Sequence, residues 1–297
     1  MENMTEEEIA DFIATSYKLK PEKLIMNELK WKYLVRSGIR GKNILLLGPT
    51  GSGKTLAAQS LVKALGREDK FFYINMGATQ DPRTALIGNT HFSKTDGTFF
   101  DESAFIRAIR TPDMVILLDE ISRGHPDSWN ILITPLDYLQ RYLRLDEAEG
   151  SETVKVAPGV TFIATANVGN EYTATRVMDR ALLDRFPVKI EVDVLTAEQE
   201  RDLLKMLVPK ASKEVVKAIT EIAHFSRQMT DDSKLSKAIS TRSIVEMAEL
   251  SADGFDLKEI AEMVIYPDYP LDGGIDSERT LIKQVVQKHV VSKTREK

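Results

Sequence analysis

The chain contains no cysteine, so disulfides and thiolate metal sites are excluded and a reducing compartment is expected. Histidine is scarce: the four, at positions 91, 125, 224 and 289, have no metal-ligand spacing, and no H-E-x-x-H occurs. His224 lies in a helical stripe and reads as a packed residue. No G-x-S-x-G elbow is present, which removes a hydrolase of the Ser/His/Asp kind. No apolar run approaches the roughly 18 residues of a membrane span. The start, "MENMTEEEIADF", is acidic rather than basic-then-apolar, so no signal peptide is expected and the expected address is the cytoplasm. Excess positive charge is also missing. A net charge of −5 argues against coating nucleic acid, although a local basic groove stays open.

What is present is the composition of a globular protein, 42% hydrophobic and 29% charged over 297 residues. That length suits one large domain, or one domain with a smaller one. Residues 5–17 read as a helix: Thr5 and Glu8 have capping-box spacing, and Ile9, Phe12, Ile13 and Tyr17 share a face. From about residue 40, apolar runs alternate with helical stretches: "NILLL" (43–47), "FFYINM" (71–76), "MVILL" (114–118), "VTFIATA" (160–166) and "VKIEVDV" (188–194). Unalternated strands with helices between them predict a parallel sheet buried on both faces, an α/β three-layer sandwich. Two segments break the rhythm and read as inserted β-hairpins, 88–102 with an Asp96-Gly97 turn and 142–156. Phe92, Phe99 and Phe100 in the first either pack its base or face a pore or a partner.

After Val194 the pattern is helical throughout. Thr196 with Gln199 and Asp256 with Glu259 form capping boxes, and Val215, Ile219, Ile222 and Ala223 make a stripe. Ile260, Met263 and Val264 make another, as do Leu281, Ile282 and Val285, around a "YPDYPLDGG" loop. The expected organisation is an N-terminal helix and linker (1–24), an α/β domain (25–194) with the two hairpin insertions, and a smaller all-helical domain (195–297).

The strongest motif is "LLLGPTGSGKT", which fits G-x-x-x-x-G-K-[ST] between a strand and a helix. Gly48, Pro49, Thr50, Gly51, Ser52, Gly53, Lys54, Thr55 and Leu56 form the candidate phosphate loop for ATP. Its glycines let backbone N–H groups curl around phosphates, and the helix adds its positive end. Lys54 neutralises charge, and the Thr55 hydroxyl suits Mg²⁺. "MVILLDE" ends a strand with Asp119, placed to reach Mg²⁺, and Glu120, placed to orient or deprotonate a water. "TFIATANVG" ends the next strand with Asn167, a candidate for holding that water or touching the γ-phosphate. Arg242 opens a helix, where the dipole disfavours a cation unless a phosphate is near.

In order, "GPTGSGKT", "VILLDE", "ATANVG", "LLDRF" and "STRS" resemble the AAA+ ATPases. The two hairpins make the chain similar to the clade of MoxR, NorQ and CbbQ, CobS and magnesium-chelatase motors, dynein-related modules and McrB. "DEISRGHPDSWNIL" and "TANVGNEYTATRVMDRALLDRF" are most similar to the MoxR/CobS side. The resemblance covers about residues 25–250. It implies a five-stranded core, Walker A at Gly48–Thr55, Walker B at Asp119 and Glu120, sensor 1 at Asn167 and sensor 2 at Arg242. It also implies an arginine finger at Arg185, acting across a head-to-tail interface in a homo-oligomeric ring, expected to be a hexamer. A local ion pair of Arg185 with Asp184 or Asp179 is the plain alternative, and Arg180 and Arg123 are candidate helpers. The implied activity is Mg²⁺-dependent ATP hydrolysis that remodels or activates a separate client or adaptor, in this clade often one with a von Willebrand A module. The alternatives are a metal-chelatase motor subunit, a nucleic-acid motor of the McrB or phage kind, and a nucleotide-sensing scaffold.

Overall fold

A computed structural model describes residues 4–93, 97–146, 152–167, 178–272, 274 and 277–291. Nine strands occur among them: β1 (Ile44–Gly48), β2 (Phe71–Asn75), β3 (Gly88–Ser93), β4 (Gly97–Glu102), β5 (Val115–Asp119), β6 (Tyr142–Leu145), β7 (Glu152–Lys155), β8 (Thr161–Asn167) and β9 (Val188–Glu191). Five form one parallel sheet in the order β2-β5-β8-β1-β9. This is the sheet that the apolar runs predict, with most strands reaching one residue further toward the phosphate-loop edge.

The three layers follow from the period of two along each strand. Ile44 and Leu46 of β1, Val115 and Leu117 of β5 and Ile163 of β8 pack on one face, against Trp31, Leu34 and Val35 of the helix Glu28–Ile39 and Ala57, Ala58 and Leu61 of the helix Lys54–Ala64. Leu45, Ile116, Leu118, Phe162 and Ala164 face the other way, onto Phe105 and Ile109 of the helix Ala104–Arg110 and Trp129, Leu132 and Leu136 of the helix Pro126–Leu136. Central strands covered on both sides need no polar alternation, which is why they read as continuous apolar runs.

The two antiparallel pairs, β3 with β4 and β6 with β7, stand outside this sheet. At the base of the first, Gly88 (φ 134°) lies so near the chain that a Cβ would fall 2.2 Å from the Asp101 carbonyl oxygen. Phe100 packs on the core, whereas Phe92 and Phe99 are 77% and 45% exposed. Asp96 and the polar middle of the second hairpin, 147–151, lie outside the described residues.

Residues 1–49 and 53–193 form one compact unit, and 50–52 with 194–297 form another. The N-terminal helix Glu6–Thr15 carries the capping box of Thr5 and Glu8 and belongs to the first unit, where Arg40 pairs with Glu6 and Trp31 Nε1 donates to the Ser16 carbonyl at 2.8 Å.

The second unit has its own core, built on Val215, Ile219, Ile222 and Ala223 of the helix Lys213–Asp231 and on Ile244, Met247, Ile260 and Ile282. Two sequence expectations fail in it. His224 is exposed, because it follows Ala223 by one residue and so lies about 100° round the helix from the buried stripe. Met263 is 69% exposed because Ala261–Ile265 is a π-turn; the wider turn puts Ala261 and Ile265 inward instead. Among the described residues no helix is long and apolar enough to cross a membrane.

Candidate active site at the carboxyl edge of the sheet

In a parallel sheet, ligands collect where strands end. Here the last residues of adjacent strands stand in register: Asn75 beside Asp119 on β2 and β5, and Gly48 beside Asn167 on β1 and β8. The fold therefore aligns the start of the phosphate loop, the first carboxylate and the lone amide along one edge.

The loop runs into the helix Lys54–Ala64 through Gly53, left-handed at φ 92°, and no side chain caps that helix. Its first N–H groups and positive end are left for an anion. The buried Lys54 ammonium donates to the Gly48 carbonyl at 2.9 Å and the Pro49 carbonyl at 2.7 Å, which ties the lysine across the loop. Ser52 Oγ is buried without a partner, an orphan polar atom in the loop.

Asp119 is 9% exposed and is held by three hydroxyls. Thr165 Oγ1 donates to its Oδ1 at 2.5 Å, the Tyr73 hydroxyl to its Oδ2 at 3.2 Å, and Thr55 Oγ1 lies 3.3 and 3.4 Å from the two oxygens. An anion this deep needs such donors to offset its lost hydration. Burial first, and the Asp119 charge second, push the Tyr73 phenol above its ordinary range, so this donor keeps its proton. Thr55 Oγ1 and the Asp119 carboxylate form a hard-oxygen set that fits Mg²⁺, and the uncapped helix and lysine fit phosphates.

Glu120 leaves the strand in the left-handed region, φ 54°, ψ 41°, at a cost of roughly 1–2 kcal/mol for a side-chain-bearing residue. Its N–H donates to Thr165 Oγ1 at 2.9 Å, so one threonine hydroxyl orients both members of the acidic pair. Arg123 Nη1 reaches the Glu120 carboxylate at 3.0 Å. A Cβ on Gly77 would stand 2.9 Å from Glu120 Oε2, so the missing side chain there makes room for the carboxylate.

Lys54, Thr55, Asp119, Glu120 and Asn167 thus share the carboxyl edge. Arg185 does not. Its carbonyl accepts from Asn43 Nδ2 at 2.8 Å, and Asn43 immediately precedes β1. That puts the residue at the amino edge, the length of β1 away from the loop, roughly 16 Å at the usual strand rise. Its guanidinium pairs with Asp137 at 2.9 Å, not with Asp184 or Asp179. Asp179 is engaged elsewhere, capping the helix Arg180–Asp184 by accepting from Ala181 N. Arg180 is exposed at the start of that helix. Arg242 is exposed in the first turn of the helix Thr241–Ala252, in the second unit. That helix starts at a buried network: Thr241 Oγ1 donates to Glu200 Oε1 at 3.3 Å, and the fully buried Glu200 pairs with Arg227 at 2.5 Å. Residues 168–177, which hold much of "TANVGNEYTATRV", lie outside the described residues.

Sequence reasoning missed Thr165, Tyr73, Asn75 and Gly77. The available signal was a polar residue interrupting an otherwise apolar strand, as Thr165 and Tyr73 both do.

Residues 43–186 match the AAA domain (dynein-related subfamily), and residues 200–286 match the CbbQ/NirQ/NorQ C-terminal family. An uncharacterised protein of Staphylococcus saprophyticus is 31% identical over 214 residues, 71% of this chain and 78% of that protein. A Thauera aromatica protein provisionally named chaperone BssE is 32% identical over 220 residues, 73% of this chain and 72% of its own. A closed-state reconstruction of Hsp104 with ATPγS and FITC casein matches at TM-score 0.53 and 18% identity, over 70% of this chain and 40% of that one, a likeness of fold alone. The chain belongs to the AAA+ ATPases, in the MoxR-like branch that includes the NorQ and CbbQ proteins.

Proposed function

We propose that this ATPase works as a closed ring of its own copies, a hexamer, in the cytoplasm, and that it spends ATP hydrolysis on remodelling or activating a separate protein. The observation that carries the hydrolytic half is the Asp119–Glu120 pair, both oriented by Thr165 beside the phosphate loop. Lys54 and the helix start bind the phosphate oxygens of ATP, with Gly48 to Leu56 as the cradle. Mg²⁺ would be held by Thr55 and Asp119 and would neutralise phosphate charge. Glu120 accepts a proton from the attacking water; the water oxygen bonds to the γ-phosphorus while the bond to the β-γ bridging oxygen breaks, releasing ADP and phosphate. Asn167, register partner of Gly48, aligns that water. We assign Arg242 the sensor 2 role that the resemblance implies.

The shared-site half rests on Arg185. At roughly 16 Å from its own phosphate loop it cannot meet its own γ-phosphate, so a nucleotide that it serves belongs to a neighbour. The client half is supported by the chaperone name of the Thauera relative. An adaptor with a von Willebrand A module suits this branch.

The test measures ATP turnover per chain against protein concentration, for the wild type, Lys54→Ala, Arg185→Ala and their mixture. Turnover per chain is expected to rise with concentration. Each variant alone should be slow, with partial recovery on mixing. Full turnover by a single copy, unaffected by Arg185→Ala, would overturn the shared site. DNA-stimulated turnover without any protein client would replace the remodelling reading with a nucleic-acid motor.

A further inference from the structure

Arg185 sits inside a clamp that the reading above does not use. Its main chain is pinned by the buried Asn43, whose Nδ2 donates both to the Arg185 carbonyl at 2.8 Å and to the Leu136 carbonyl at 2.7 Å. Asn43 is itself fixed, because its Oδ1 accepts from Arg141 Nη1 at 3.3 Å, and Arg141 Nη2 donates to the Val160 carbonyl at 2.7 Å. The Arg185 side chain is held separately, Nη2 on Asp137 Oδ2 at 2.9 Å.

Asp137 cannot swing to follow a moving arginine. Its Oδ1 accepts from the backbone of Leu139 at 2.8 Å and of Gln140 at 3.1 Å. These two donors first, and the Arg185 charge after them and against some desolvation, hold its carboxyl below the usual range, so it stays an anion near neutral pH. The clamp is nonetheless incomplete: Arg185 Nε is buried with no partner. The pair is partly buried, 29% exposed at Arg185 and 17% at Asp137, and burying an arginine while one of its donors stays unmet costs free energy, so stability alone explains the contact poorly. The next two residues, Tyr138 and Leu139, are 79% and 88% exposed, so the turn that carries Asp137 is open to a second molecule.

We propose that Asp137 and Asn43 are positioning residues for Arg185, one fixing its guanidinium and the other its main chain, for presentation to the γ-phosphate bound by a second copy of this chain. The proposal rests on the reading that Arg185 acts in trans.

Asp137→Asn tests it, because the amide keeps an acceptor for Leu139 and Gln140 and loses the charge that orients Arg185. The expected result is a kcat about 10–100-fold lower, the scale of a small misplacement of a reacting group, with KM and the affinity for a fluorescent ATP analogue within about twofold of wild type. Mixing with Lys54→Ala, whose Asp137 and Arg185 are intact, should restore turnover. Mixing with Arg185→Ala should not, and the Asp137→Asn/Arg185→Ala double variant should be no slower than Arg185→Ala. If Asp137→Asn does not fold by circular dichroism, Asp137→Glu, which keeps the charge on a longer arm, should show the same split of kcat from KM and the same rescue. Near-normal turnover in the folded variant, or a loss that Lys54→Ala subunits do not rescue, overturns the positioning role. If Arg185→Ala itself turns over at the wild-type rate, it is the trans reading that has failed.

Discussion

The two ends of β1 are organised by opposite means. At the carboxyl end, a buried anion is surrounded by neutral donors: Asp119 takes hydroxyls from Thr165, Tyr73 and Thr55. At the amino end, a cation is held by one carboxylate, Asp137, while the Asn43 amide donates to the arginine's main-chain carbonyl. The difference suits the tasks proposed for the two ends. Hydroxyl groups orient a carboxylate without cancelling its charge, so it can still hold a metal. If Arg185 serves a neighbour's phosphate as proposed, its guanidinium needs direction, and a single carboxylate gives direction without engaging every donor.

That contrast can be broken. If the ends serve different copies' nucleotides, their variants form two complementation groups. Lys54→Ala with Glu120→Gln, both at the carboxyl end, should stay inactive on mixing, whereas Glu120→Gln with Arg185→Ala should recover. The largest single effect is expected for Glu120→Gln: ATP binding kept, turnover down at least ~10²-fold, checked by single-turnover kinetics. Near-normal turnover there removes Glu120 from the role of base. Thr165→Val is next, since it strips one donor from Asp119 and leaves the Glu120 N–H without its acceptor. A stability loss of about 1–3 kcal/mol by urea unfolding is expected, with turnover about tenfold lower. Gly77→Ala puts a methyl 2.9 Å from Glu120 Oε2 and should slow turnover a few-fold, ~5-fold, without altering nucleotide affinity. Tyr73→Phe removes the most exposed of the three donors and should be the mildest, about twofold in turnover and under 1 kcal/mol in stability. A Tyr73→Phe effect larger than that of Thr165→Val would reverse the ranking of the donors.

The parts of this site that lie within one local stretch were legible. A glycine loop between a strand and a helix, and two acids after an apolar run, announce their chemistry through neighbours in sequence. Thr165 was not legible as a partner of Asp119, because 46 residues separate them and only the parallel register brings them together. The pairing of Arg185 was not legible. The nearby aspartates attract attention, yet Asp179 is used as a helix cap and Asp184 is exposed, which leaves Asp137 from another element. In the helical unit, the capping boxes at Thr196 and Asp256 form as the spacing predicts, since a cap is a local hydrogen bond. The inward face after Ile260 was misread because nothing in a 3.6-residue period announces a π-turn.

The backbone of Glu120 carries one more consequence. A left-handed residue favours glycine or asparagine, and neither of these two could take up a proton from water. If Glu120 is the base proposed above, drift to either residue would yield a sturdier molecule that grips its triphosphate without cleaving it, which is a reason for a lineage to keep the strain.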